Sequence, residues 1–226
     1  MNGKKVKELA EKLEVFYLAN KSDNMYLTIL GDPTSSTKEI EEKDEKIKKL
    51  GLYEIEKLNK KYKKEGFPRF NLIYRKRLWN EKEKCYLGWE RKRGLLTELN
   101  RYLMKEKSGV LKPEKKNQNT FIINTIEDFK LKKPKEKLDI KYIITLDSDT
   151  NLTLNSGIEL IEAMAHPLNK PEIDEEKKIV VDGYGLMQPR VGIDLEISYQ
   201  SDFTEIFAGD RRSRFIYKCN FRYLSR

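Results

Sequence analysis

Histidine and cysteine are almost missing from this sequence: His166 is the only histidine, and Cys85 and Cys219 are the only cysteines. His166 has no second histidine or neighbouring cysteine with which to build a metal site, and the two cysteines lie far apart with no metal-ligand spacing. That usage suits a reducing cytoplasm. Cys85 reads as a small packed residue, and His166, in "HPLN", as the end of a helix. Long apolar runs are missing too: no stretch approaches the length of a membrane span, and no N-terminal segment reads as a signal peptide. A soluble, cytoplasmic piece is the expectation.

What is present is charge. Hydrophobic residues make up 38% of the 226 positions and charged residues 37%, a lean core beneath a charged surface. The apolar residues are clustered, which permits a globular fold of one ordinary domain or one large piece of a bigger one. The net charge of +9 is unevenly placed. Residues 210–226 hold six basic side chains against Asp210, a net +5; the remaining 40 basic and 36 acidic residues leave +4 for residues 1–209. Arginine supplies 7 of those 40 basic positions but 5 of the 6 in the tail, so the tail is compositionally foreign. Residues 69–93 interleave aromatic and basic residues as nucleic-acid binders do. With a mildly basic body and no recognised nucleic-acid motif, that reading stays second, and no nucleic-acid partner is expected.

Periodicity places elements along the chain. Val6, Leu9, Ala10 and Leu13 predict an amphipathic helix over 4–16, and "MYLTIL" a strand stopped by Gly31-Asp32-Pro33. Residues 37–64 read as a solvated helical stretch interrupted near Gly51, followed by the strand "FNLIYR". A helix follows, with Leu95, Leu99, Tyr102 and Leu103 on one side, then the strand "TFIINT" and a lysine-rich turn over 130–137. "KYIITLDSDT" reads as the strongest strand of the chain. Leu154, Ile158, Ile161 and Ala165 mark a helix stopping before His166-Pro167; "KIVVDGYGLMQPRVG" is strand-like, and "SYQSDFTEIFAG" begins another helix. Alternating strands and helices predict a doubly wound α/β fold, with a mostly parallel sheet covered by helices on both faces. There is no internal repeat.

The apolar run of "IITLDSDT" ends in Asp147 and Asp149. In extended backbone positions i and i+2 share a face, so the two carboxylates converge at the C-terminal end of the strand, where open α/β sheets bind ligands. Carboxylates there suit a hard cation, Mg²⁺ or Mn²⁺, whose shell a nucleotide diphosphate would complete. The plainer alternative has Asp149 capping a turn and Asp147 solvated. Trp79, Trp89 and Tyr86 offer stacking surfaces for a sugar, against the commoner reading of aromatics as core.

"YIITLDSDT", "MAHPLNKP", "GYGLMQPRVG" and "FAG", together with "LEVFYLAN", "LTILGD", "IEKLNKKY" and "RKRLWNEKEKCYLGWERKRGLLTELNRYL", resemble in order the glycosyltransferase domain of cyclic β-1,2-glucan synthases, across residues 4–209. The resemblance implies an incomplete GT-A, family-2-like, Rossmann-like fold and an inverting hexosyltransferase that uses UDP-glucose to extend β-1,2-glucan. It implies that Asp147 and Asp149 hold a divalent cation against the UDP pyrophosphate. It also implies that Asp32 lies near the uridine, that Lys92, Arg93 and Gly94 form a basic helix start beside the donor phosphates, and that Arg190, in "QPR", lies toward the acceptor. Full-length members are large inner-membrane proteins with this domain on the cytoplasmic side.

After Gly209 the resemblance stops. The family continues with a block close to GG-(I/V)-D-x-YT-x-A-x-SD-x-YQD, whereas this chain reads "DRRSRFIYKCNFRYLSR". Codons for this tail can be chosen so that a neighbouring frame reads GVDLYTNAISDIYQ, so a frameshifted tail over 210–226 is expected. The sequence also begins just after the place of the family's first strand. Residues 1–209 then read as a partial, donor-binding domain whose general base belongs downstream, inactive as a separate chain. The competing expectations are a non-catalytic relic that does not bind donor, prone to aggregate through an open sheet edge, and the basic nucleic-acid-binding module.

Overall fold

A computed structural model describes residues 3–108, 120–133, 138–177 and 179–189. It divides into two compact units, one ending at Asn155 and one beginning at Ser156.

The first unit is an α/β layer structure. Helix α1 (Gly3–Ala19) leads to strand β1 (Leu27–Gly31), helix α2 (Glu42–Lys61) and strand β2 (Phe70–Arg75). A short hairpin, β3 (Leu78–Asn80) and β4 (Cys85–Leu87), precedes helix α3 (Arg91–Ser108), strand β5 (Phe121–Asn124) and helix α4 (Thr125–Lys132). The main sheet runs β1-β2-β5, with β1 and β2 parallel and β5 antiparallel to β2. Strand β2 is buried along its whole length, and its period of two sorts its side chains. Phe70 and Leu72 join Ala10 and Phe16 of α1 and Ile55 and Leu58 of α2 on one face. Ile73 joins Leu99 of α3 and Ile126 of α4 on the other. Helices therefore cover both faces, as expected, but the sheet is small and mixed, with a single parallel pair among the described strands.

Helix α2 runs unbroken through Gly51, where an interruption was expected. Gly51 is buried, and a Cβ there would stand 2.9 Å from a Leu72 methyl, so the missing side chain lets the helix lie close on β2. The helix starts later than residue 37, at a capping box between Glu41 and Asp44. Helix α4 falls partly where a lysine-rich turn was expected; Asn124 opens it by accepting the Glu127 N–H at 3.3 Å.

The largest departure is the run around Tyr142-Ile143-Ile144, expected as the strongest strand. Residues 138–147 form no strand, and Tyr142, Ile143 and Ile144 are 42, 45 and 36% exposed. Only Leu146 and, further on, Leu152 reach the core of α1, β1, α2 and β2. Strand propensity is realised through a neighbouring ladder, and no described strand pairs with this segment.

The second unit contains α5 (Ser156–Ala165), a short 3-10 turn over Pro167–Asn169, and a hairpin of β6 (Glu172–Asp174) and β7 (Ile179–Asp182). His166 does end the helix, and its Nδ1 accepts the Leu168 N–H at 3.3 Å. The expected helix over 198–209, the tail over 210–226, Cys219 and Arg190 lie outside the described residues. No helix among the described residues is long and apolar enough to cross a membrane.

Candidate functional site

The parallel register places Gly31 beside Tyr74, so the next residues along, Asp32 and Arg75, emerge together at the C-terminal edge of β1 and β2. Arg75 is fully buried and Asp32 is 28% exposed. The guanidinium forks onto the carboxylate, Nε donating to Oδ1 at 2.6 Å and Nη2 to Oδ2 at 2.7 Å. Its remaining donors reach the turn before α3, with Nη1 bonding the Trp89 carbonyl at 2.8 Å and Nη2 also bonding the Arg91 carbonyl. On the far side stands Glu98 of α3, 3.9 Å from Nη1, accepting from the Thr120 hydroxyl at 2.6 Å. Burial pushes the Glu98 carboxyl above its ordinary range, against the opposing pull of Thr120 and Arg75.

The turn that Arg75 holds is tight. Glu90 and Arg91 both take left-handed backbone, with φ of 47° and 49°, and the Arg91 N–H closes onto the Gly88 carbonyl at 2.9 Å. Gly88 is buried, and a Cβ there would press onto Asp32 Oδ1 and Arg75 Nη2, so the position leaves no room for a side chain. Leaving this turn, Lys92 pairs with Asp147 although the two are 55 positions apart. The expected neighbour Arg93 points elsewhere; it is mostly exposed and paired with Glu90 at 2.8 Å. Gly94 N–H bonds the Glu90 carbonyl at 3.2 Å, fixing the helix start.

Asp147 and Asp149 do not sit on one face of a strand. The Thr150 N–H donates to the Asp147 carbonyl at 3.1 Å, so the D-x-D segment is a turn rather than extended backbone. Asp147 takes Lys92, and the field of Asp149 acts on Lys12, whose ammonium donates to the Ser148 carbonyl at 2.9 Å. Burial lowers the Lys12 pKa from its ordinary value, and Asp149 opposes that shift. The two aspartates fit a hard divalent cation in donor type, as exposed carboxylate oxygens. They are too few to enclose one, and among the described residues no group of three or more acidic, histidine or cysteine side chains gathers as a metal cage.

The loop after Asp32 is pinned from beneath. Arg77 Nε donates to the Thr34 carbonyl at 2.7 Å, and Arg77 pairs with Asp44 inside the protein. Ser36 and Tyr86 exchange backbone hydrogen bonds of 2.8 and 2.9 Å, tying the loop to the β3–β4 hairpin. On that hairpin Trp79 and Tyr86 meet edge to face at 5.1 Å, and Trp79 is 47% exposed, not core. Cys85 is only partly buried.

Sequence reasoning named Asp32, Lys92 and Asp147 but missed Arg75, which joins Asp32 to the turn before Lys92, and Glu98 and Thr120 on its far side. The one available signal was an arginine closing the otherwise apolar-patterned strand "FNLIYR".

No family model matches the chain. It is 35% identical over 209 residues to cyclic beta-(1,2)-glucan synthase NdvB of Rhizobium meliloti (strain 1021). That similarity takes in 91% of this chain but only 7% of the relative's length. The chain is thus related to this glucan synthase, as the counterpart of one small segment of it.

Proposed function

We propose that this chain is the donor-binding part of a GT-A, family-2-like glucosyltransferase that binds UDP-glucose with the help of Mg²⁺ or Mn²⁺. The acceptor is a growing β-1,2-glucan, attacked with inversion, and the parent enzyme works at the cytoplasmic face of a membrane. The observation that carries this reading is the unbroken line of contacts from Asp32 through Arg75 and the Trp89–Arg91 carbonyls to the turn bearing Lys92, and on to Asp147. It lies at the C-terminal edge of parallel strands, the edge at which α/β sheets receive ligands. The relation to a β-(1,2)-glucan synthase supplies the class of product.

In this reading Asp32 lies at the uridine, its carboxylate oriented by Arg75. Lys92 supplies positive charge to the diphosphate from the start of α3. Asp147 and Asp149 would hold the divalent cation, which when bound stabilises charge on the departing diphosphate. No described residue is assigned as the base that deprotonates the acceptor hydroxyl. The assignment is of donor binding, with turnover by the chain alone not expected.

Titration calorimetry of UDP into the full chain, with and without Mn²⁺, tests the proposal alongside Asp147→Ala and Asp149→Ala. Binding that requires both the metal and the two aspartates is expected. A folded protein that takes up no UDP under any of these conditions would sink it in favour of a relic that binds no donor.

A further inference from the structure

We infer that Arg75 is the positioning residue of the donor site, acting through Asp32, which it holds in register with the Trp89–Arg91 turn, without touching the ligand. The inference rests on the donor-binding reading above. One planar guanidinium serves two elements at once: its Nε and Nη2 hold both oxygens of Asp32, while Nη1 and Nη2 hold the carbonyls on either side of Glu90. Arg75 has no exposed surface, so it cannot itself meet a nucleotide, whereas Asp32 remains 28% exposed. A carboxylate has about four lone-pair directions, and the fork uses two, leaving the outer side of Asp32 for a ligand donor.

The same guanidinium fixes the strained turn from which Lys92 departs toward Asp147. Its position therefore sets the spacing between the expected uridine end of the site, at Asp32, and the expected phosphate end, at Lys92. Net stability is a poor reason for such an arrangement, since buried ion pairs rarely outperform apolar packing. Lysine, with a point charge and no planar fork, cannot reproduce the contacts. Gly88 belongs to the same device, because any side chain there would displace the Asp32 carboxylate from the fork.

The test compares UDP with inorganic pyrophosphate, both with Mn²⁺, by calorimetry on the full chain and on Arg75→Lys and Gly88→Ala. Pyrophosphate reports the Lys92 and Asp147 end alone; the excess affinity of UDP reports the Asp32 end. Arg75→Lys is expected to weaken UDP about tenfold or more while changing pyrophosphate by less than about threefold. In an Asp32→Asn background the same change should alter UDP affinity by less than about twofold, because the two residues act as a unit. Gly88→Ala, which leaves the buried ion pair chemically intact, should reproduce the selective loss if Arg75→Lys fails to fold. Equal weakening of both ligands would mean a purely structural role and would overturn the inference, as would undiminished preference for UDP in both variants. If the unaltered chain binds UDP no better than pyrophosphate, the uridine end of the donor reading fails, and the role of Arg75 falls with it.

Discussion

The Lys92 ammonium donates to Asp147, bridging the start of α3 and the turn that follows the apolar run 142–146. Both side chains are more than half exposed, at 62 and 56%. The pair is therefore a weak, solvent-screened contact that a stronger ligand on either side can exchange.

That exchange is measurable. A cation on Asp147 competes with the Lys92 ammonium for Oδ1, and a diphosphate on Lys92 competes with Asp147 for the ammonium. Lys92→Gln should raise the affinity for Mn²⁺ alone by about two- to fivefold, the weight of an exposed pair, while weakening UDP in the presence of Mn²⁺. Electron paramagnetic resonance of free Mn²⁺ reads the first effect and calorimetry the second. Loss of both affinities together would show that Lys92 shapes the turn and does not compete for Asp147.

Arg77 and Asp44 form the most enclosed ion pair in the described protein, 2 and 6% exposed, beneath the loop that carries Asp32 and Thr34. Burial pushes the Asp44 carboxyl up, but the Arg77 hydrogen bonds and the Glu41 N–H outweigh it and hold it below its ordinary range. Arg77→Ala should cost about 3–5 kcal/mol, because it leaves a buried carboxylate unpaired. Since the folded carboxyl is depressed, its stabilisation is complete above the unfolded carboxylate pKa and is lost as pH falls through the folded value. Urea unfolding at a series of acidic pH values should show this loss in the parent and not in Asp44→Asn.

Glu98 has the opposite sign. Its folded carboxyl is raised by burial, so the native state holds the proton more tightly than the unfolded chain does. Its contribution is most favourable below the unfolded pKa and declines as pH rises through the raised folded value. Glu98→Gln keeps a group able to accept from Thr120, at 2.6 Å in the parent, and removes the titration. Denaturant midpoints measured from about pH 4 to about pH 7, a span that opens near the carboxylate reference values, should lose that decline in the variant. An unchanged profile would show that Glu98 titrates normally.

Much of the fold is legible in the sequence because its elements announce themselves locally. Val6, Ala10 and Leu13 fall at helical spacing in α1, and β1 and β2 form where "LTIL" and "FNLIYR" place apolar residues. Gly51 misleads because a buried glycine in a helix can serve close packing as well as a break. The run around Tyr142-Ile143-Ile144 misleads for another reason: its residues favour a strand, yet a strand needs a partner, and composition does not supply one.

The site divides in the same way. From the sequence alone came the α/β class, the carboxylate pair Asp147 and Asp149, the acid Asp32 after a buried strand, and the basic start of α3. The class and the carboxylate pair are properties of neighbouring residues, written in periods of two and 3.6, whereas Asp32 and the basic helix start are marked by the family resemblance. Only the tertiary structure decided that Asp32 is gripped by Arg75, 43 positions away, that Lys92 rather than Arg93 meets Asp147, and that the D-x-D segment turns. A charged side chain on a strand carries no local mark of its partner. Parallel register and helix packing alone bring such groups within hydrogen-bond reach, and burial then fixes which pairs persist.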